Sequence, residues 1–209
     1  FRYCLPCALF AADCLILMYM DRVSGYVLAG GQSTRMGEDK AVLSIGGQTF
    51  VERAANALST VARSVTVVGL RGNYDGQLKI IPDALESRGS IVGLYTALAD
   101  CGTEFAAVLA CDLPFANADL LKELVGSIGE FEAAMPMQQD GRLQPLCAVY
   151  RRDVCLPHVE RILAKDNWRL QQLGSLLRVP IIRPVGVRWS MNVNTPAEML
   201  TAIEMADKV

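Results

Sequence analysis

Two short runs in this chain are apolar throughout, Tyr26-Val27-Leu28-Ala29 and Phe105–Cys111. Neither alternates as a strand with one wet face would, and both have strand rather than helix length. An unbroken apolar strand is one covered on both faces, as at the centre of a parallel sheet packed between helices. The segments between such runs can supply the helices. Thr49 to Val61 carries Phe50, Val51, Ala54, Ala57, Leu58 and Val61 on one helical stripe, with Thr49 as its cap. Further strands are expected near Gly25–Ala29, at Val65–Val68, Lys79–Ile81, Ala133–Met137 and Pro145–Tyr150, with an extended stretch at Val179–Pro184. Helices are expected at Ser90–Leu98, Asp119–Ile128, around Val154–Ala164 and Trp168–Leu176, and from Pro196, with Thr195 before it. The alternation predicts an α/β fold of three layers, a mostly parallel central sheet with helices on both faces.

At 209 residues, with no repeat, low-complexity segment or linker, the chain reads as one domain spanning residues 20–209. Residues 1–19 read differently: they are apolar but interrupted by Pro6 and Asp13, with Arg2 as the only cation before Asp21. That pattern suits neither a signal peptide nor a transmembrane helix, and the segment is expected to lie upstream of the fold. Cys4-x-x-Cys7 stands without a second pair and is weak evidence for metal. A net charge of −2 offers no electrostatic reason to expect nucleic acid. Seven cysteines, an odd number mostly set in apolar runs, suit reduced and buried thiols in the cytoplasm.

The first apolar strand runs directly into Gly30-Gly31, and Arg35 and Lys40 follow within ten residues. Two glycines let main-chain N–H groups approach an anion closely. Arg35 offers a forked grip on phosphate and Lys40 a point charge on a flexible stem. Strand, glycine turn and two cations together point to a loop that handles a nucleotide triphosphate. It is neither G-x-x-x-x-G-K-[ST] nor G-x-G-x-x-G, so the P-loop and the dinucleotide fingerprint are both excluded here. Asp83 and Asp112 also come directly after predicted strands. In open α/β sheets ligands gather outside the carboxyl ends of the strands, so these sequence-distant residues should converge on one edge. Asp112 beside a phosphate loop is a natural Mg²⁺ ligand, since that ion takes few carboxylates and fills its shell with phosphate oxygens and water. Asn192 and Asn194, in a polar loop before the last helix, could hold an acceptor phosphate, complete a metal shell through water, or shape the turn. Gln144 and Arg142 form a further candidate acceptor segment, or a solvated hairpin. His158 is the single histidine, so no Ser/His/Asp or Cys/His arrangement is available at the loop, and transfer by in-line attack needs none.

The run Leu28-Ala29-Gly30-Gly31-Gln32-Ser33-Thr34-Arg35-Met36-Gly37-Glu38-Asp39-Lys40 resembles the signature L-A-G-G-x-S-x-R-M-G-x-D-K of a nucleotidyltransferase family whose best-known member is molybdenum cofactor guanylyltransferase. Ile81-Pro82-Asp83 with Gly89–Gly93, Ala110–Pro114 and Met191–Pro196 fit the same family in the same order. The resemblance implies a Rossmann-like fold of the nucleotide-diphospho-sugar transferase type. It also implies transfer of GMP from GTP to the phosphate of molybdopterin, with Mg²⁺ and release of pyrophosphate. It places Leu28, Ala29, Gly30, Gly31, Lys40, Asp83 and Asp112 at the nucleotide, Lys40, Arg35 and Asp112 at the reaction, and Asp112 at the metal. Asp83 would meet the guanine N1–H and exocyclic amine, and Asn192, Asn194, Gln144 and Arg142 would serve the acceptor. Transient contact with other proteins that make or receive the cofactor is expected, and no membrane. Two departures stand out: Gly89-Ser90 replaces a frequent Gly-Pro, and no Asn follows Val67-Val68-Gly69-Leu70. Other substrates for the same chemistry remain open, with a cytidylyl transfer to molybdopterin or a sugar-phosphate acceptor first, and a non-catalytic nucleotide binder after them.

Overall fold

The computed structural model describes residues 19–30, 41, 43–70, 76–86, 89–165, 169–186 and 188–206. Strand β1, Val23–Leu28, is buried at all six positions. The hairpin β2 (Ser44–Ile45) and β3 (Gln48–Thr49) precedes helix α1 (Phe50–Ser59). Then come β4 (Val65–Val68), β5 (Lys79–Ile81), α2 (Ser90–Asp100), β6 (Phe105–Ala110), α3 (Ala118–Ser127) and β7 (Ala133–Ala134). β8 (Cys147–Arg151), α4 (Arg152–Ala164), the short α5 (Leu173–Leu176) and α6 (Pro196–Ala206) complete the order.

The main sheet runs β5-β4-β1-β6-β8-β7. β5, β4, β1 and β6 are mutually parallel, β8 runs against β6, and β7 runs against β8. Helices α1 and α3 pack on one face with Val27, Val67 and Leu109. Helices α2 and α4 cover the other with Tyr26, Leu28 and Val108. The two apolar runs are thus neighbours at the sheet centre, covered on both sides as their composition requires. The fold is the three-layer, mostly parallel α/β arrangement expected.

Local signals explain several elements. Thr49 Oγ1 accepts from the Glu52 N–H at 3.2 Å and the Glu52 carboxylate accepts from the Thr49 N–H at 2.8 Å, a reciprocal cap that starts α1. The Thr49 N–H, and after it the Thr49 hydroxyl on the same carboxylate oxygen at 2.9 Å, hold the Glu52 carboxyl below its usual range. Gly46 and Gly47 turn the β2–β3 hairpin with φ of +60° and +79°. A two-residue hairpin needs positive φ at both positions, so this Gly-Gly pair signalled a turn that the helix-and-strand reading passed over.

Four expected elements are shorter than their apolar patterns. Only Ala133–Ala134 of the Ala133–Met137 run joins the ladder, while Pro136 bridges Ile182 and Met137 bridges Leu143. β8 starts at Cys147, because the Cys147 N–H turns back to the Gln144 carbonyl at 3.2 Å. Residues 170–176 divide into a 3₁₀ turn, Leu170–Gln172, and the single turn of α5. The Val179–Pro184 stretch pairs at Ile182 alone. Cys101, Cys111, Cys147 and Cys155 are buried, and burial pushes Cys147 and Cys155 up to about 12. Among the described residues no helix is long and apolar enough to cross a membrane.

The far edge of the sheet is tied to the 170s segment through Glu132. Its carboxylate accepts from the Arg178 N–H at 2.8 Å, with the Arg178 guanidinium at 3.6 Å, and the main-chain bond comes first in holding its carboxyl below the usual value. A carboxyl lowered on folding stabilises the protein above its unfolded-state value and loses that contribution as pH falls through the folded one. Glu132→Gln should therefore lower the urea midpoint near neutral pH, and the gap to the parent should close as the buffer is taken below the carboxylate range. A gap independent of pH would remove the ionic contribution.

Candidate active site

The parallel strands end together on one edge, and main-chain bonds carry the ladder one residue beyond each. The Ala29 N–H donates to the Val68 carbonyl at 2.9 Å, the Gly69 N–H to Ile81 at 2.9 Å, and the Cys111 N–H to Leu28 at 3.1 Å. Gly30 and Asp112 are the next residues out, and Asp83 follows Pro82 beyond β5. Leu28 and Ala29 are buried at the end of β1, and Gly30 is exposed at the point where the chain leaves it. Gly31, Arg35 and Lys40 lie outside the described residues. Ala41, the next described residue, is fully buried.

Asp83 leaves β5 but leans back across the sheet. Its Oδ2 lies 2.9 Å from where a Cβ on Gly30 would stand and 2.7 Å from one on Gly69. Both glycines thus admit the carboxylate over bare main chain, and Gly69 does so at φ +72°, a conformation side chains resist. This brings a carboxylate that starts two strands away to the end of β1. The turn is held from below: the buried Thr96 Oγ1 accepts from the Ala84 N–H at 2.9 Å and donates to the Val92 carbonyl at 2.8 Å. Gly69 and Thr96 were not singled out from the sequence. A glycine directly after an apolar strand is the signal that could have found the first. Nothing local marks Thr96, which looks like any helical threonine.

Asp112 stands at the end of β6, half-buried, and its carbonyl accepts from the Val193 N–H at 2.9 Å. Val193 is fully buried, so Asn192 and Asn194 are fixed on either side of an anchor at the Asp112 strand end. Asn194 is held further by its N–H to the Glu198 carboxylate at 2.7 Å, while Thr195 Oγ1 accepts from the Glu198 N–H at 3.3 Å and caps α6. Arg53, from α1, joins this turn to the hairpin after the glycine loop: Nε donates to the Pro114 carbonyl at 3.1 Å and a terminal nitrogen to Ile45 at 3.2 Å.

The acceptor candidates of the 140s emerge on the same edge, because β8 runs backwards and starts where its neighbours end. The Ala110 N–H donates to the Leu146 carbonyl at 2.8 Å. Gln144 is buried, its N–H on the Pro136 carbonyl at 3.0 Å and its Oε1 accepting from the Leu146 N–H at 3.4 Å. Arg142 is exposed in a turn and bound to Asp140, Nε to Oδ2 at 2.6 Å, which lowers the Asp140 carboxyl. This hairpin, with Arg183, Pro184 and Trp189, borders a groove of about 420 Å³ that also reaches Ser190, two residues before Asn192. Sequence-distant motifs are thus brought to one edge of the sheet, while neither Arg142 nor Gln144 lines this groove.

The donor set can be weighed for a metal. Among the described residues no three His, Cys, Asp or Glu side chains come together as a cage. A single hard carboxylate at a strand end matches an ion that takes few protein ligands and completes its shell from other oxygens and water.

Comparison with known proteins identifies the family. Residues 25–179 match the MobA-like NTP transferase domain. A molybdenum cofactor guanylyltransferase of Desulfosudis oleivorans is 30% identical over 203 residues, covering 91% of this chain and 100% of that protein. A Pelotomaculum thermopropionicum protein, named as a probable molybdenum cofactor guanylyltransferase, is 31% identical over 199 residues, with 90% and 95% covered. The crystal structure of molybdopterin-guanine dinucleotide biosynthesis protein A from Archaeoglobus fulgidus shares the fold with a TM-score of 0.72 at 24% identity, covering 89% of this chain and 100% of that one. With the family domain spanning most of the chain and its motifs gathered at one sheet edge, this protein belongs to the MobA-like NTP transferase family and is a nucleotidyltransferase.

Proposed function

We propose that this enzyme transfers GMP from GTP to the phosphate of molybdopterin, with Mg²⁺, and releases pyrophosphate. The observation that carries this reading is the junction at Asp112. One main-chain bond to Val193 sets Asn192 and Asn194 beside the end of β6, while Asp83 leans over Gly30 and Gly69 on the other side of β1. A donor nucleotide and an acceptor phosphate then have separate flanks of one strand edge. The names of the two curated relatives support guanine as the base and the molybdenum cofactor as the acceptor.

On this reading the chain at Leu28 and Ala29 meets the nucleotide, the N–H groups of Gly30 and Gly31 cradle the triphosphate, and Arg35 and Lys40 neutralise its charge. Asp112 would hold Mg²⁺. That ion, when bound, offsets the negative charge that gathers on the phosphates during transfer. Asp83 accepts from the guanine N1–H and exocyclic amine, which needs its carboxylate over main chain rather than over side chains. Asn192 and Asn194 orient the acceptor phosphate, with Gln144 and Arg142 on the acceptor side. The acceptor phosphate is already anionic near neutral pH, so no side chain has to remove a proton from it. Positioning and electrostatics are then the whole contribution of the protein. We read residues 20–209 as the catalytic domain and the cytoplasm as its compartment, with transient contacts to proteins that supply or take the cofactor.

The test is pyrophosphate release from GTP, CTP, ATP and UTP with Mg²⁺, each with and without molybdopterin. Release from GTP alone, and only with molybdopterin, is expected. Release from CTP would transfer the same chemistry to another base, and silence with every nucleotide would sink the reading.

A further inference from the structure

The edge of the sheet opposite the active site carries a polar cleft of about 320 Å³, where β1, β4 and β5 begin. Parallel pairing sets Tyr26 beside Thr66 and Thr66 beside Lys79, so these three side chains stand in a row on one face. Asp100, at the end of α2, meets the row from above. Its carboxylate accepts from the Tyr26 hydroxyl at 3.1 Å and from the Lys79 ammonium at 3.1 Å. The acid therefore has both a donor and a counter-charge. Burial, more than its acidic neighbours, raises the Tyr26 hydroxyl far above its usual range and keeps it a donor.

The rim is rigid. The Arg63 N–H donates to the Val23 carbonyl at 3.0 Å and the Gly25 N–H to the Ser64 carbonyl at 2.8 Å, so both residues are stitched to β1 by their main chain. On another wall Thr103 Oγ1 donates to Ser24 Oγ at 2.9 Å. Two groups are left over. The Arg63 guanidinium has no hydrogen bond or ion pair with any described residue. Thr66 is only 6% exposed, and its hydroxyl likewise has no hydrogen-bond partner among the described residues. Thr66 lines the cleft, so its hydroxyl is placed to bond a group that enters from outside. Arg63 and Lys79 against Asp100 leave one positive charge in excess.

We propose that this cleft is a second ligand site, built for a phosphate-type oxyanion gripped by the Arg63 guanidinium and the Thr66 hydroxyl. A planar fork of N–H donors matches two oxygens of such an anion, and the hydroxyl supplies a third bond from the buried wall. The site is distinct from the reaction centre. Gly30 lies at the far end of β1, whose six residues span about 20 Å.

The proposal is tested by titrating the full chain with inorganic phosphate in a calorimeter, for the parent and for Arg63→Ala, Thr66→Val and Lys40→Ala. Thr66→Val keeps the side-chain shape, and melting temperatures in phosphate-free buffer verify that each variant is folded. Arg63→Ala should weaken binding by about tenfold or more, and Thr66→Val by several-fold, the scale of losing one charged or one neutral hydrogen bond. Lys40→Ala should retain phosphate binding at the cleft. Binding lost in Lys40→Ala but kept in Arg63→Ala would assign the anion to the nucleotide loop and overturn the proposal. So would unchanged affinity in Arg63→Ala, or no binding at millimolar phosphate.

Discussion

Asp112→Asn should lower turnover by roughly 10²–10³-fold or more, the scale seen when one group that stabilises transition-state charge is removed, with no matching loss of stability. The separation of the two effects comes from how Asp112 is built in. The bond that fastens the 191–195 loop to β6 uses the main-chain carbonyl of Asp112, which the substitution leaves in place. Leu113 and Val193, buried on either side, continue to hold the turn. Asparagine has nearly the same shape as aspartate but lacks its charge, so it is a poorer partner for a hard divalent cation. Turnover measured across a Mg²⁺ titration, alongside a melting curve, distinguishes the outcomes. Low turnover that no Mg²⁺ concentration restores, at an unchanged melting temperature, fits Asp112 at the metal. Near-parental turnover would place the reaction elsewhere.

Gly69→Ala should damage nucleotide binding through a residue that touches no substrate. The added Cβ would stand 2.7 Å from Asp83 Oδ2, closer than such contacts occur, and the backbone at φ +72° penalises any side chain. The conformational cost is about 1–2 kcal/mol, visible as a lower denaturation midpoint. The carboxylate must also move off the end of β1. If Asp83 holds the base, KM for the nucleotide should rise roughly 10- to 100-fold, the range for a hydrogen bond to a charged group, with a smaller change in kcat. A double-mutant cycle isolates the cause. In an Asp83→Ala background no carboxylate is left to displace, so adding Gly69→Ala should raise KM little further. Additive effects would show that Gly69 acts through the backbone alone.

How much of this was legible beforehand follows from the reach of each signal. Runs such as Phe105–Cys111 declare a buried central strand because local composition records how many faces are covered. The cap at Thr49 and the turn at Gly46-Gly47 are equally local, although only the first was read. Gly30, Asp83 and Asp112 could be placed at strand ends from the pattern of elements, and the ladder confirms that the strands preceding them end on one edge. The over-long expectations at Ala133–Met137 and Val179–Pro184 have a common origin. Apolar content shows that a segment is buried, whereas ladder length depends on which neighbour lies alongside.

The sequence by itself therefore determined the fold class, the buried strands and the residues that leave the strand ends, because each depends on composition or spacing within a short window, while the family was marked by the resemblance of the run from Leu28 to Lys40. Only the tertiary structure decided that β8 runs backwards between β6 and β7 and so delivers Gln144 to the active edge. It alone decided that Asp83 leans over Gly69, that Val193 pins Asn192 and Asn194 to Asp112, and that Thr66 and Arg63 face a cleft at the other end of the sheet. These are pairings between residues far apart in the chain, and strand order, register and a glycine's sign of φ take their values from a partner that no local window contains.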